Sequence, residues 1–141
     1  MDILADFRVS VSNGDEALKE KTFLFLIKLM GYANQLRFNH WQTTSYAEHK
    51  MTDGLMSDIT GYVDSIGEAT LGAMGRPQIN TTTLNISDMS LVGTKAVLDT
   101  LCSDVKEMLA EYKVTEYEGH VSLLGELDAI VQKYKYLQTL S

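Results

Sequence analysis

Cysteine and proline are almost missing from this chain of 141 residues: each occurs once, as Cys102 and Pro77. A single thiol excludes an intrachain disulfide framework. Cys102 falls on the apolar side of its helical pattern, where a thiol serves as a small buried hydrophobe. A single proline leaves long stretches free to run as uninterrupted helices. Long apolar runs are missing too: the most apolar stretch, Thr22 to Met30, contains Lys28 and is too short to span a bilayer. No basic segment leads into an apolar one near the N-terminus, so the sequence reads as soluble and cytoplasmic, without a secretory signal. Positive charge is scarce. With 12 Lys and Arg against 19 Asp and Glu the net charge is −7, which argues against a general affinity for phosphate backbones. The first twelve residues, MDILADFRVSVS, hold one Arg and two Asp, so no basic tail for coating DNA is present there.

What the sequence does have is helical periodicity. Ser12-Asn13-Gly14-Asp15 is a helix-start cluster, with Asp15 and Glu16 placed for the first turn. From there Leu18, Phe25, Leu26, Leu29, Ala33 and Leu36 recur at three- and four-residue steps, and His40 continues that stripe. Thr43-Thr44-Ser45 caps a second helix predicted over Tyr46 to Met74, stopped by Gly75-Arg76-Pro77. Gly54, Gly61, Gly67 and Gly72 recur through it, each unfavourable by about 1 kcal/mol relative to Ala, which points either to close helix approach on that face or equally to a helix that is merely tolerated. A polar connection, Gln78 to Ser90, has room for a short helix over Asn85 to Ser90. Asn80-Thr81-Thr82 matches a glycosylation sequon, an accidental match in an intracellular protein. A third helix is expected over Val92 to Tyr112, with Leu98, Leu101, Val105, Met108 and Tyr112 on one face. A fourth is expected over Glu116 to Leu137, with Leu123, Leu127, Ile130, Tyr134 and Leu137 inside. Four amphipathic helices with one long connection between the second and third define an all-α fold, a four-helix bundle of ferritin-like connectivity. The chain reads as one domain over 1–141, with 1–13 as a short N-terminal extension.

Chemistry concentrates on the second helix. His49-x-x-x-Asp53 and, eleven residues on, Asp64-x-x-x-Glu68 each place two metal-competent side chains one turn apart. His40, beside the only tryptophan, Trp41, is a third candidate. At about 100° per residue, positions 49, 53, 64 and 68 share roughly a 100° arc. The two steps cannot serve one ion within one chain: the helix rises roughly 16 Å from Asp53 to Asp64, while metal–ligand bonds are about 2 Å. One chain therefore carries two half-sites, and a complete site needs a second copy packed antiparallel, at a twofold interface. Two imidazoles with three carboxylates suit iron, manganese or zinc rather than calcium or a sulfur-ligated cluster. The usual intrachain di-iron motif, Glu-x-x-His, is absent, since the positions three before each histidine hold Arg37, Tyr46 and Tyr117.

The string His40-Trp41 followed by His49-x-x-x-Asp53-x10-Asp64-x-x-x-Glu68 resembles the ferroxidase signature of the Dps family, the miniferritins of the ferritin-like superfamily. The spacing from His49 through Glu68 is the family's own. The interval from His40 to His49 is shorter than the family's, which implies a tighter turn between the first two helices. The resemblance implies a two-iron site between subunits, with Asp64 and Glu68 from one and His40, His49 and Asp53 from the other. It implies oxidation of Fe(II) by hydrogen peroxide, or more slowly dioxygen, and storage of ferric mineral in a hollow shell. Zinc or manganese are the substitute metals. The shell of the family is a dodecamer built from twofold dimers, and by analogy Glu116, Glu118, Glu126 and Asp128 are candidates for its iron-entry pores. Trp41 beside the site is either a sink for a stray oxidising equivalent or a core aromatic, and His120, without a partner in the pattern, reads as a surface residue. The alternatives are a ferritin-like structural or interaction protein without turnover, a structural metal at the dimer interface, and a DNA-protecting protein, which the acidic charge disfavours.

Overall fold

Four helices account for most of residues 13–141, the part of the chain that the computed structural model describes. They are α1 (Asn13–Gln42), α2 (Tyr46–Met74), α3 (Thr94–Lys113) and α4 (Glu118–Gln138). Among the described residues there is no strand. The N-terminal extension up to the expected Ser12 cap lies outside those residues.

The ends of α2 are where the sequence puts them, for the reasons it gives. Ser45 is extended (φ −91°, ψ 120°) and its hydroxyl accepts from the Glu48 N–H, an N-cap bond of about 1 kcal/mol. Gly75 takes φ +91°, a value that favours glycine, and its N–H closes on the Leu71 carbonyl at 3.0 Å. Pro77 then prevents the helix from resuming.

Each helix packs mainly on two others: α1 on α2 and α3, and α4 on α2 and α3. Side-chain bonds give the directions. The last turns of α1 meet the first turn of α3 through Asn39 and Thr94 (3.3 Å), and the start of α1 meets the end of α3 through Lys21 and Glu111 (2.7 Å). The end of α2 meets the start of α4 through Thr70 and His120. Residues 75–93 follow α1 along its length. Gly75 lies near Lys19 and Leu84 against Gly31, while Ser87 pairs with Gln35 and Met89 with Gln42.

This linking segment differs from expectation. No helix forms over Asn85 to Ser90; only a turn follows Asp88, whose carbonyl accepts from Leu91 and Val92. The reason lies on α1. Gln35 exchanges two bonds with the Ser87 backbone (2.7 and 2.9 Å), Gln42 accepts from the Met89 N–H (2.8 Å), and Asn39 donates to the Val92 carbonyl (3.1 Å). Backbone groups that would have closed a short helix are satisfied from outside it.

The core follows the expected stripes on α1 and α3: Leu29, Leu36, Leu98, Leu101 and Val105 are fully buried. On α4 the inward stripe is rotated by one position, to His120, Leu124, Leu127, Val131 and Tyr134, leaving Leu123, Ile130 and Leu137 half-buried. Adjacent apolar pairs at 123–124 and 130–131 made both stripes available to the helix. On α2 the inner face is Met51, Leu55, Met56, Ile59 and Ile66. Truncating a fully buried Leu or Ile of this kind costs about 2–5 kcal/mol. That anchoring fixes the helix's rotation about its axis, and so decides which residues face outward. No helix among the described residues is long and apolar enough to cross a membrane.

Candidate metal centre

The short interval between the first two histidines has a definite structural consequence. His40 lies in the last turn of α1 and His49 in the first turn of α2, joined by residues 43–45. The two imidazoles stack, with ring centroids 3.8 Å apart and planes 15° from parallel. Each ring is fixed by the other residue's backbone. His40 Nδ1 lies 2.7 Å from the His49 carbonyl oxygen, and His49 Nδ1 lies 3.0 Å from the His40 carbonyl oxygen. A carbonyl oxygen can only accept, so both Nδ1 atoms carry the proton and each neutral ring keeps its lone pair on Nε2. The Thr52 hydroxyl, buried one turn further along α2, also lies 3.2 Å from His40 Nδ1 while donating to the Glu48 carbonyl. Backbone and hydroxyl acceptors on Nδ1 are what orient a metal-binding histidine.

The stacking restricts what the pair can bind. Each lone pair lies in its own ring plane, and near-parallel planes this far apart do not converge within the roughly 2 Å of a metal–nitrogen bond. As placed, the two rings are not arranged to share a single ion.

The carboxylates are not gathered around this pair. Asp53 is exposed and borders a cleft of about 280 Å³ lined also by Arg37, Met56, Ser57 and Thr60. Asp64 and Glu68 are exposed further along the same outer face. Among the described residues, no group of three or more His, Cys, Asp or Glu comes together within one chain. One chain thus assembles the two imidazoles and leaves the three carboxylates apart. Asp58, also on α2, is occupied elsewhere: it accepts from the Tyr134 hydroxyl at 2.8 Å.

Two neighbouring assignments need correction. Trp41 is no core aromatic: it is 67% exposed, touching the edge of Phe38 at 6.5 Å between centroids. His120 is no surface residue: it is 3% exposed, stacked on Tyr112 at 4.6 Å with Nε2 3.0 Å from the Thr70 hydroxyl. Burial holds its pKa below the ordinary value of 6.5. Of the acidic residues around the start of α4, Glu116 and Glu118 are exposed, Glu126 accepts from Tyr62, and Asp128 is paired with Lys106 at 3.3 Å. Cys102 is buried as expected, its sulfur accepting from Gln132.

Sequence reasoning missed Thr52 and the Gln35/Asn39/Gln42 amides. Thr52 carried a readable signal, being three residues after a candidate ligand on a helix. The amides carried none, because their partners are backbone atoms some fifty residues away.

Among the described residues the fold is all-helical, with four helices, a stacked imidazole pair at one corner and three outward carboxylates on the second helix. Residues 40–137, beginning at His40 itself, match a family of unknown function (DUF5856), and the chain belongs to it. No curated protein and no solved structure matches it.

Proposed function

We propose that this protein is a ferritin-like ferroxidase of the Dps kind, oxidising Fe(II) at a site shared between two subunits and storing the ferric product. The observation that carries the reading is the stacked His40/His49 pair, each ring fixed through Nδ1 so that its Nε2 is left to accept a metal. The order of helix packing, with a link between α2 and α3 that follows α1 end to end, supports ferritin-like connectivity and its long crossover.

In this reading Asp64 and Glu68 of one subunit, with His40 of the other, take the first Fe(II). His49 and Asp53 take the second. Each Fe(II) gives up one electron; hydrogen peroxide accepts both, and its O–O bond breaks to give two waters once two protons are taken up. Dioxygen is the slower oxidant. Carboxylates favour Fe(III) over imidazole alone, so the mixed ligand set promotes oxidation. The product moves to the cavity of a homo-oligomeric shell, a dodecamer built from twofold dimers, and the use is iron storage and protection from oxidative stress in the cytoplasm.

The test is optical: Fe(II) oxidation by hydrogen peroxide on apo-protein, with Asp64→Ala/Glu68→Ala alongside. Fast oxidation that disappears in the double variant is expected. A wild-type rate equal to the protein-free blank removes the ferroxidase reading.

A further inference from the structure

The large apolar side chains that this chain exposes most are gathered at one place. Trp41 (67% exposed), Tyr46 (73%), Leu91 (80%), Tyr136 (63%) and Leu140 (62%) all lie at the end of the bundle that holds the α1–α2 turn. Among the described residues only Val114 is exposed to a like degree elsewhere, at the opposite end. The packing order sets α1, α2, α4 and α3 at successive corners of a square, and every corner presents one of these groups. Trp41 is in the last turn of α1, Tyr46 is the first residue of α2, Leu91 leads into α3, and Tyr136 is in the last turn of α4. Single exposed apolar residues need no explanation, but a gathering of them marks a contact surface. Groups at four corners of one end meet a flat partner rather than a segment lying in a groove.

Charge is just as unevenly placed. Residues 28–60, 84–103 and 128–141, the half with this end, carry six Lys and Arg against six Asp and Glu. The rest of the described chain carries five against eleven. The acidity that argues against phosphate binding therefore belongs to the far half. Over the outermost six residues of each helix and of the linker at this end, Lys and Arg outnumber Asp and Glu by five to three. Arg37 and Lys50 are exposed there, with Lys50 5.7 Å over the Tyr46 ring. Lys95 and Lys135 share a single carboxylate, Asp99, at 3.2 and 3.7 Å.

We propose that this end of the bundle docks on an anionic lipid surface. Trp and Tyr rings settle where an apolar layer meets headgroups and water, which is what Trp41, Tyr46 and Tyr136 offer. Each Lys or Arg close to an anionic leaflet adds attraction that fades within a Debye length, so the surplus at this end is felt and the distant acidic half is not. Docked this way, the acidic half points into water. A second copy set end to end would bring two cation surpluses together. No helix among the described residues is long and apolar enough to cross a bilayer, so the contact is peripheral. The proposal stands apart from the ferroxidase reading and needs neither iron nor a second subunit.

Trp41 is the chain's only tryptophan and sits in the docking face, so the native protein carries its own reporter. Its emission is followed, with a chelator present, as vesicles of phosphatidylcholine and phosphatidylglycerol are added to the full chain. A blue shift is expected, with quenching by brominated acyl chains and a weaker response at high salt or with phosphatidylcholine alone. Tyr46→Ser/Leu91→Ser should weaken partitioning about tenfold or more, because two exposed apolar groups no longer leave water. Val114→Ser, at the far end, should leave it unchanged. Circular dichroism matching wild type in both variants separates lost docking from lost fold. No spectral change at the highest lipid concentration overturns the proposal, as does equal partitioning by the double variant. A blue shift produced by concentrating the protein without lipid also overturns it, and assigns this end to a second copy.

Discussion

Gly54 and Gly61 both sit in the middle of α2, and replacing each with alanine should shift stability in opposite directions. In a helix interior, alanine is favoured over glycine by about 1 kcal/mol. At Gly61 and Gly72 a new Cβ would meet nothing of the same chain within 4 Å, so each substitution should stabilise the fold by about that amount. At Gly54 the new Cβ would lie 2.7 Å from the Tyr134 hydroxyl oxygen, closer than real Cβ contacts allow. That hydroxyl belongs to a buried ring and donates to the Asp58 carboxylate at 2.8 Å. Burial, then the bond to Asp58, raise its pKa, so it stays protonated and donating. Moving it aside sacrifices a hydrogen bond to a charged group, worth about 1.5–3 kcal/mol. The loss exceeds the propensity gain, and Gly54→Ala should destabilise by about 0.5–2 kcal/mol. The next atoms of the ring are 3.5 and 3.6 Å from the new Cβ, ordinary contacts. In a Tyr134→Phe background Gly54→Ala should therefore become stabilising by about 1 kcal/mol. Urea unfolding of the four proteins in this cycle measures the coupling. A Gly54→Ala effect of the same sign and size in both backgrounds would refute the reasoning.

Three further outcomes follow from other contacts. The folded-state pKa of His120 lies below 6.5, so as pH falls through about 6.5 the unfolded chain takes up its proton first and stability declines. The slope is at most about 1.4 kcal/mol per pH unit. His120→Phe keeps the stack on Tyr112 and should flatten that part of the profile between pH 8 and 5, whereas an unchanged slope in the variant places the titration elsewhere. Thr52→Val removes a buried acceptor from His40 Nδ1 and should weaken Co(II) or Zn(II) binding about 10-fold or more, as loss of an orienting partner does elsewhere; calorimetric titration showing equal affinity counts against the orienting role. Gln35→Leu leaves the Ser87 N–H and carbonyl without their partners and should cost about 1–3 kcal/mol, with hydrogen exchange rising first in the 84–92 segment.

Helix positions were readable because local signals agree with the fold: caps on α2, and apolar stripes on α1 and α3. The Ser45 cap and the Gly75 stop are local chemistry, and stripes such as Leu98, Leu101 and Val105 are local periodicity. The inward face of α4 was not readable, because Leu123–Leu124 and Ile130–Val131 present two equally apolar stripes to the core. The stripe that faces inward also brings His120 onto Thr70, fifty residues away. The same limit hid the linker, where propensity over 85–90 permits a helix and the side chains of α1 overrule it. At the site, the spacing from His49 to Glu68 gave the outward face of α2. The stacking of His40 on His49 came from the length of the turn between them, which sequence pattern treats only as an interval.

The three histidines show why residue type alone could not find the site. His120 and His40 both sit near a helix end, and both touch a threonine hydroxyl. The atoms that make those contacts separate them. Thr70 donates its own proton to the Ile66 carbonyl, so it must accept from His120 Nε2, and that nitrogen is spent as a donor. Around His40 and His49 the acceptors lie at Nδ1, which forces the opposite tautomer and leaves Nε2 with a lone pair. A metal needs that lone pair on a ring whose orientation is already fixed. The fixing groups here are the carbonyl oxygens of the two histidines themselves, each held in place by a helix end. The orientation of both rings at this corner is therefore a property of the α1–α2 turn, whose length brings each ring to the other histidine's carbonyl.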